Sequence, residues 1–189
     1  MDDIVRRAKE NDVSAFEQIV LLHQNKVYSL ACRMISDADE AYDVSQEVFI
    51  KVYRYISSFK GDCEFSTWLY RITMNTCCDF IKKRKKKSPN FIDDISGIET
   101  IKEDGVSPEE RVEQRENREQ IEKLIGMLPL EHRQMIILRD VHGFSYEKIA
   151  QITSTNMGTV KSRISRARKG LCELVSQQGN FLCKSESKK

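Results

Sequence analysis

The stretch GTVKSRISRARKGL, residues 158–171, carries five Lys or Arg side chains, no acidic side chain, and apolar residues at helical spacing. Lysine and arginine on one face of a helix bind phosphates, and they also donate hydrogen bonds to the O6 and N7 atoms of guanine. The simpler interpretation is an amphipathic helix with a solvated basic face, which is common in charge-rich chains. This stretch by itself leaves both interpretations open.

The residues before this stretch favour nucleic-acid binding. SYEKIAQI predicts a short helix capped by Ser145, a turn follows at 153–155, and Asn156 is a suitable cap for a second helix. A short helix, a tight turn and a basic second helix form the helix-turn-helix pattern, whose second helix enters the major groove. The candidate DNA-contacting residues are Asn156, Thr159, Lys161, Ser162, Arg163, Ser165, Arg166 and Lys169.

The composition excludes several classes of protein. The 189 residues are 40% hydrophobic and 32% charged, but the net charge is only +2, so local clusters of charge decide what the chain attracts. No apolar run reaches the roughly 18 residues that a membrane-spanning helix needs, and the charged N-terminus does not resemble a secretion signal. The six cysteines form no C-x-x-C pair and the three histidines are dispersed. We therefore expect a soluble cytosolic protein with reduced thiols, no metal site and no cofactor.

The spacing of apolar residues predicts an all-α chain of two small helical domains joined by a flexible linker. The expected N-terminal domain spans 1–87 and ends in the basic run KKRKKK, which suits a helix C-terminus and adds non-specific attraction to DNA. Residues 88–107 contain Pro, Gly, Ser and an excess of acid, which is typical of a linker. Ser107, Pro108 and Glu110 form a capping box that opens the C-terminal domain, 108–176, and a frayed tail follows at 177–189.

Two longer segments carry a family resemblance. The C-terminal segment 128–171, with Leu128-Pro129, Arg133, the GFSY turn at 143–146 and GTVKSR, resembles the promoter-binding domain of bacterial RNA polymerase sigma factors of the extracytoplasmic-function group. DADEAYDVSQEVFIKVYRYISSFKG followed by FSTWLYRITMN resembles the other domain of the same group, in the same order. The family usually has aliphatic residues where this chain has Thr153 and Thr155, so looser packing or backbone partners for the hydroxyls are expected at the turn.

The resemblance implies that the loop at 59–67 and the start of the next helix read the promoter's minus-ten element by trapping an unpaired base. Such a site needs a pocket for the base, polar groups for its edge and cations for the backbone. The candidates are Lys60, Gly61, Asp62, Cys63, Glu64, Phe65, Ser66, Arg71 and Asn75. Core packing is the alternative role for Phe65, and it is the preferred role for Trp68.

The resemblance also implies protein partners. The acidic helix that contains Asp43, Gln46, Glu47 and Phe49 is expected to bind the clamp helices of the largest subunit of core RNA polymerase, with Phe49 as an aromatic anchor. The C-terminal domain is expected to contact the polymerase flap. An anti-sigma factor is a further expected partner and would hold the chain at a membrane without insertion of the chain itself.

The predicted function is therefore promoter recognition and opening with core polymerase, on duplex and single-stranded DNA, in a stress response and without an active site of its own. No P-loop, paired carboxylates or nucleophile–base pair occurs in the sequence. The main alternative is a stand-alone helix-turn-helix regulator that binds duplex operator DNA, and a small helical enzyme or adaptor is the weaker one. Promoter sequence, inducing signal, the identity of the anti-sigma factor and the redox role of the cysteines stay open.

Overall fold

The computed structural model describes the backbone of residues 2–87 and 120–186, with side chains for 3–87 and 120–177. All the regular elements within these ranges are helical, which confirms the predicted all-α class. The expected linker at 88–107 and the capping box at 107–110 lie outside the described residues.

Four helices make up the N-terminal domain: α1 Asp2–Lys9, α2 Val13–Ile35, α3 Ala38–Tyr55 and α4 Phe65–Lys87, with a 3₁₀ turn at Ile56–Ser58. Aspartate side chains begin two of them. Asp12 accepts a hydrogen bond from the Ala15 amide at 3.1 Å, and Asp37 accepts one from the Glu40 amide at 2.8 Å. These contacts satisfy amides that have no partner inside the helix, so the chain turns at fixed points between α1, α2 and α3.

The N-terminal core is built from the predicted apolar stripes. Ile19 and Val27 of α2, Val48 and Val52 of α3, and Leu69 of α4 are all fully buried. Burying a side chain of this kind stabilises the fold by about 1.5–3 kcal/mol. Helix α4 packs against both α2 and α3, so it carries buried residues along most of its length and holds the preceding loop at a fixed position.

The C-terminal domain contains α5, described over 120–127, α6 Leu130–Ile136, α7 Tyr146–Thr153 and α8 Met157–Glu186. A π-helical turn, Ile137–Val141, continues α6. Ser145 caps α7 through the Lys148 amide at 3.2 Å, and Asn156 caps α8 through the Thr159 amide at 2.8 Å. The helix-turn-helix predicted from these caps is thereby confirmed.

The C-terminus differs from the expected tail, because the backbone of α8 is helical as far as Glu186. Residues 177–186 contain no proline and only one glycine, so the sequence holds no strong signal to end the helix.

The turn between α7 and α8 accommodates both threonines through hydrogen bonds. The Thr153 hydroxyl donates to the Ile149 carbonyl at 2.8 Å, and the hydroxyls of Thr153 and Thr155 lie 2.9 Å apart. Ser154, in the left-handed region at φ 51°, makes the turn itself. The expected backbone partner is therefore found for Thr153, whereas the hydroxyl of Thr155 is paired with a side chain, that of Thr153.

The two domains pack directly against each other, and one apolar cluster contains buried residues of both, while a second cluster lies within the N-terminal domain. Tyr70 of α4 and Phe144 before α7 bring their ring centroids to 5.2 Å. Arg133 of α6 is only 1% exposed, and its guanidinium donates to the Met34 carbonyl of α2 at 2.9 Å and to the Gly126 carbonyl of its own domain. Arg33 and Glu122 add an ion pair across the same boundary.

Candidate nucleic-acid interface

Helix α8 presents a basic and hydroxyl face to solvent. Lys161, Ser162, Ser165, Arg166 and Lys169 are exposed, whereas Val160, Ile164 and Ala167 are buried against the rest of the domain. The core stripe thus fixes the rotation of α8, and the rotation turns the polar residues outward. Such a face can meet phosphates and base edges in a major groove.

Three of the predicted residues on α8 are already engaged within the protein. Asn156 caps the helix, the Ser162 hydroxyl donates to the Thr159 carbonyl at 3.0 Å, and half-buried Arg163 pairs with Glu131 of α6 at 3.0 Å. The more C-terminal Arg168 pairs with Asp140. The exposed cations near the start of the helix, Lys161 and Arg166, are therefore the best placed for DNA.

The loop at 59–64 joins the 3₁₀ turn to α4. Gly61 has φ +82°, a left-handed backbone conformation that a side chain disfavours, and it lets the loop reverse direction. Beneath the loop, the ring of Phe59 lies 5.7 Å from that of Phe65 and 5.3 Å from that of Trp68. The aromatic cluster supports Lys60, Asp62 and Glu64, whose side chains are exposed.

Phe65 is corrected from a base-reading residue to a core residue. Its side chain is buried and its ring also contacts His23 of α2, with centroids 5.8 Å apart. Trp68, which was expected in the core, is half-buried and packs on the same cluster. Phe65 therefore supports the loop from below, where a base stacked on its face would have to displace core contacts.

Two cavities lie on either side of the loop. The larger, about 630 Å³, is bounded by α1 and by loop residues that include Lys60, Gly61, Cys63 and Glu64. The smaller, about 250 Å³, includes Asp62, Cys63 and Arg71 together with Gln151 of the C-terminal domain. The structure therefore brings most of the predicted minus-ten residues to one loop but divides them between its two faces.

Asn75 is not brought to this loop. It is exposed one helical turn beyond Arg71, and it lines a separate groove of about 790 Å³ between α4 and α6 that also contains Arg163. The exposed position is consistent with the predicted polar face of α4, but the side chain does not share a cavity with Asp62 or Glu64.

The C-terminal domain covers part of the loop. Lys148 of α7 pairs with Glu64, and its ammonium nitrogen also lies 3.4 Å from the Ser66 hydroxyl. This pairing holds the pKa of the Glu64 carboxyl below its ordinary value. The guanidinium of Arg71 donates to the Gln151 carbonyl at 3.0 Å. Sequence reasoning missed Lys148 and Gln151, because no local pattern indicates that α7 packs beside this loop.

The acidic face of α3 has the expected charges, but its aromatic anchor is placed differently. Asp43, Gln46 and Glu47 are exposed, whereas Phe49 is only 8% exposed and belongs to the N-terminal core. Phe49 lies four residues after buried Ser45 and three before buried Val52, so it faces inward. The exposed apolar side chains on α3 are instead Tyr42, Ile50, Tyr53 and Tyr55.

The basic run at 82–87 ends α4. Arg84 is drawn back against α3 by a pair with Glu40, while the five lysines around it are exposed. The lysines sit at the C-terminal end of the helix, where positive charge is favourable. This arrangement leaves a cluster of solvated cations at the end of the N-terminal domain.

The cysteine thiols fall into two classes. Burial raises the pKa of Cys78 to about 11 and raises those of Cys32 and Cys77 as well. Cys172 is exposed and Cys63 is half-buried in the loop. In the described part of the chain, no cluster of three or more His, Cys, Asp or Glu is arranged to hold a metal.

We expect iodoacetamide at pH 8 to alkylate Cys172 and Cys63 in the native protein and to leave Cys32, Cys77 and Cys78 protected, because only thiolates react and buried thiols stay protonated. Peptide mass spectrometry after a timed pulse measures this. The same pulse in 8 M urea is the control and should alkylate these five and the sixth cysteine of the chain, Cys183. Native labelling of Cys77 as fast as Cys172 would contradict the buried assignment.

The geometry defines a two-domain DNA-binding protein, and comparison with known proteins gives its class. Residues 19–87 match Sigma-70 region 2 and residues 118–171 match Sigma-70, region 4. The chain belongs to the sigma-70 family of RNA polymerase sigma factors. No described helix is long and apolar enough to span a bilayer.

Individual relatives narrow the class to the extracytoplasmic-function type. The chain is 38% identical over 173 residues to the RNA polymerase sigma-H factor of Pseudomonas aeruginosa, covering 89% of this chain and 90% of that protein. The ECF RNA polymerase sigma-E factor of Escherichia coli matches with the same identity and coverage. Among solved structures, the sigma factor RpoE of Bartonella quintana, in complex with the anti-sigma factor NepR, is 30% identical with a TM-score of 0.66, covering 85% of this chain and 96% of that one.

Proposed function

We propose that this sigma factor divides promoter recognition between two surfaces. The exposed face of α8 reads the minus-thirty-five element in duplex DNA, and the 59–64 loop with the start of α4 reads the minus-ten element in the separated strand. The main support for the proposal is that one chain presents two such surfaces. Lys161 and Arg166 point outward from the second helix of the helix-turn-helix, and the polar loop that contains Gly61 rests on a cluster of aromatic side chains. The working units are 1–87, the linker 88–107 and 108–176.

The proposed polymerase-binding surface is the exposed side of α3. Asp43, Gln46 and Glu47 supply negative charge, and Ile50 and Tyr53 beside them supply apolar area in place of buried Phe49. A polar rim around an apolar centre is typical of protein interfaces. The partner of this surface is the clamp of core polymerase, and the C-terminal domain contacts the flap. The chain acts in the cytoplasm, and the chemistry of RNA synthesis stays with the polymerase.

An anti-sigma factor is the proposed regulator. The support is the Bartonella quintana relative, whose structure was solved with one, and the high coverage of both chains in that comparison. Binding of such a partner to the promoter-reading or polymerase-binding surfaces would hold the sigma factor inactive.

Run-off transcription with purified core polymerase on a pooled library of randomised promoters tests the function. We expect specific initiation only when the protein is added. The sequences of the transcribed promoters then identify both recognition elements. A stand-alone regulator gives the opposite outcome: no initiation, with a duplex gel shift by the protein alone.

Replacing the tripeptide Asp62-Cys63-Glu64 by Ala-Ala-Ala is expected to change the preferred base of the minus-ten element, because these side chains offer the polar groups nearest to an unpaired base. The promoter library above measures it by sequencing the transcribed templates. Affinity for core polymerase is the control and should not change, since α3 lies elsewhere. Loss of polymerase affinity with an unchanged base preference would reject the assignment of this loop.

The packed arrangement of the two domains implies an opening step. Lys148 contacts Glu64 and Ser66, and the Gln151 carbonyl accepts a hydrogen bond from Arg71. DNA must reach these three side chains, so the two domains have to separate before the loop binds a strand. A ligand that binds only the parted form shifts the population toward it.

Lys148→Glu is expected to raise the affinity of the chain for single-stranded promoter DNA, because repulsion from Glu64 replaces an ion pair and favours the parted form. Fluorescence anisotropy with a labelled strand measures the affinity. Lys123→Glu, a charge reversal at an exposed site on α5, is the control for the loss of overall positive charge. Equal weakening of DNA binding by both variants would exclude the opening step.

A further inference from the structure

Helix α1 contacts the minus-ten loop, although none of its residues was among the predicted readers. The ammonium of Lys9, at the end of α1, donates a hydrogen bond to the Phe59 carbonyl at 2.9 Å. Phe59 begins the loop, and its own amide donates to the Ile56 carbonyl at 3.1 Å. The start of the loop is thus fixed from two sides, once by the preceding turn and once by a lysine fifty residues earlier.

Helix α1 is itself held firmly enough to act as a wall. Val5 and Ala8 are buried in the N-terminal core. Arg7 donates twice to the Asp12 carboxylate, at 2.9 and 2.6 Å, across the junction with α2. The end of α1 therefore has a defined position relative to α2, and the Lys9 ammonium is delivered to the loop at a defined place.

The cavity between α1 and the loop is large enough for a nucleotide. Its volume of about 630 Å³ falls in the range of pockets that take small organic molecules. All its lining residues belong to the N-terminal domain, so the cavity persists when the domains part. The smaller cavity includes Gln151 and loses that wall on opening.

The charges around the larger cavity suit a base with its phosphate. Lys9 and Lys60 supply positive charge, Glu64 supplies acceptors for exocyclic amino groups, and the Glu10 carboxylate also lines the cavity. Arg6 is engaged by Asp3 at 2.7 Å and Glu10 at 3.6 Å, so it contributes less to a ligand. Among the cations of α1 that line the cavity, Lys9 is the one that also bonds the loop.

We propose that Lys9 is a positioning residue for minus-ten recognition: it holds the loop through the Phe59 carbonyl so that an unpaired nucleobase enters between α1 and the loop. This inference rests on the proposed minus-ten role of the loop. Without the lysine, the loop start keeps the preceding turn and the ring contacts of Phe59 but loses its bond to α1, so the α1 side of the cavity opening is no longer fixed.

The test uses the full chain and the single strand that the wild-type protein enriches from a randomised 12-nucleotide pool. A set of strands is made in which each position in turn carries an abasic site. The ratio of the Kd values of the abasic and intact strands gives the contribution of the base at that position. Wild type should show one position where the ratio is on the order of tenfold, as expected for a base held by stacking and polar contacts. Lys9→Met should lower that one ratio toward one, while Lys9→Arg, which retains a donor, should restore it.

The outcomes distinguish failure of the Lys9 proposal from failure of the proposed minus-ten role of the loop. If the wild-type chain enriches no strand, the proposed minus-ten role fails. If a strand is enriched and Lys9→Met keeps the full abasic ratio, or weakens binding equally at every position, only the role of Lys9 is overturned. Thermal unfolding and binding of minus-thirty-five duplex should match wild type in both variants. Should Lys9→Met fail to fold, Lys9→Gln removes the charge with a smaller change and is judged by the same ratio.

Discussion

Arg166→Ala and Lys161→Ala each weaken binding of the minus-thirty-five duplex by about 1–3 kcal/mol and relax the sequence preference at one base pair, as expected when a base contact is lost. Both side chains are exposed on the outward face of α8, in the helix that begins after the capped turn. Titration of fluorescent duplexes with single base changes, at two salt concentrations, measures affinity and preference together.

Arg168→Ala is the matched control for these variants. It removes the same charge from the same helix, but its guanidinium is already paired with Asp140. We expect a smaller loss with no change in preference. If Arg166→Ala weakens binding to all duplexes equally and lowers the slope of the logarithm of affinity against the logarithm of salt concentration by about one, Arg166 contacts phosphate and reads no base.

Arg133→Met should lower the free energy of unfolding by about 2–4 kcal/mol, since hydrogen bonds from a charged donor to buried carbonyls are among the stronger ones. The guanidinium joins the Met34 carbonyl of α2 to the Gly126 carbonyl of the C-terminal domain. Methionine fills a similar volume but leaves both carbonyl oxygens without this donor. Urea unfolding followed by far-UV circular dichroism measures the loss.

Hydrogen exchange distinguishes a lost domain contact from a general loss of stability. Arg139→Met is the control, because Arg139 donates to the Phe144 carbonyl at 2.8 Å within its own domain. Amides near Met34, in the other domain, should exchange faster in Arg133→Met than in Arg139→Met. Equal exchange at those amides in the two variants would mean that Arg133 does not couple the domains.

Local patterns predicted the helices well because the apolar spacing and the capping residues of each helix lie within its own segment of the sequence. The stripe of Val44, Val48 and Val52 recurs at helical spacing, and Ser145 and Asn156 precede helices that they cap. The same spacing indicates that Phe49 is buried, because it lies four residues after Ser45 and three before Val52. The resemblance to a partner-binding helix favoured an exposed role instead. Phe65 likewise begins the inward stripe that continues with Leu69.

Contacts between distant segments could not be predicted in the same way. Lys9 meets Phe59, Lys148 meets Glu64, and Arg163 meets Glu131, yet no spacing in the sequence connects the members of these pairs. A charged side chain at a helix surface carries the same local signal whether it faces water, DNA or another helix. Its partner depends on how the helices pack, and that is a property of the assembled core.

The sequence by itself determined the all-α class, the division into two helical units, the helix-turn-helix and the basic face of α8, because periodicity, caps and turns act within a few residues. The resemblance carried by the two long motifs determined the family. Only the tertiary structure decided that α1 forms a wall of the cavity beside the 59–64 loop, and that α7 covers part of this loop. These features follow from burying apolar faces against each other, which fixes the positions of polar neighbours that the sequence leaves free.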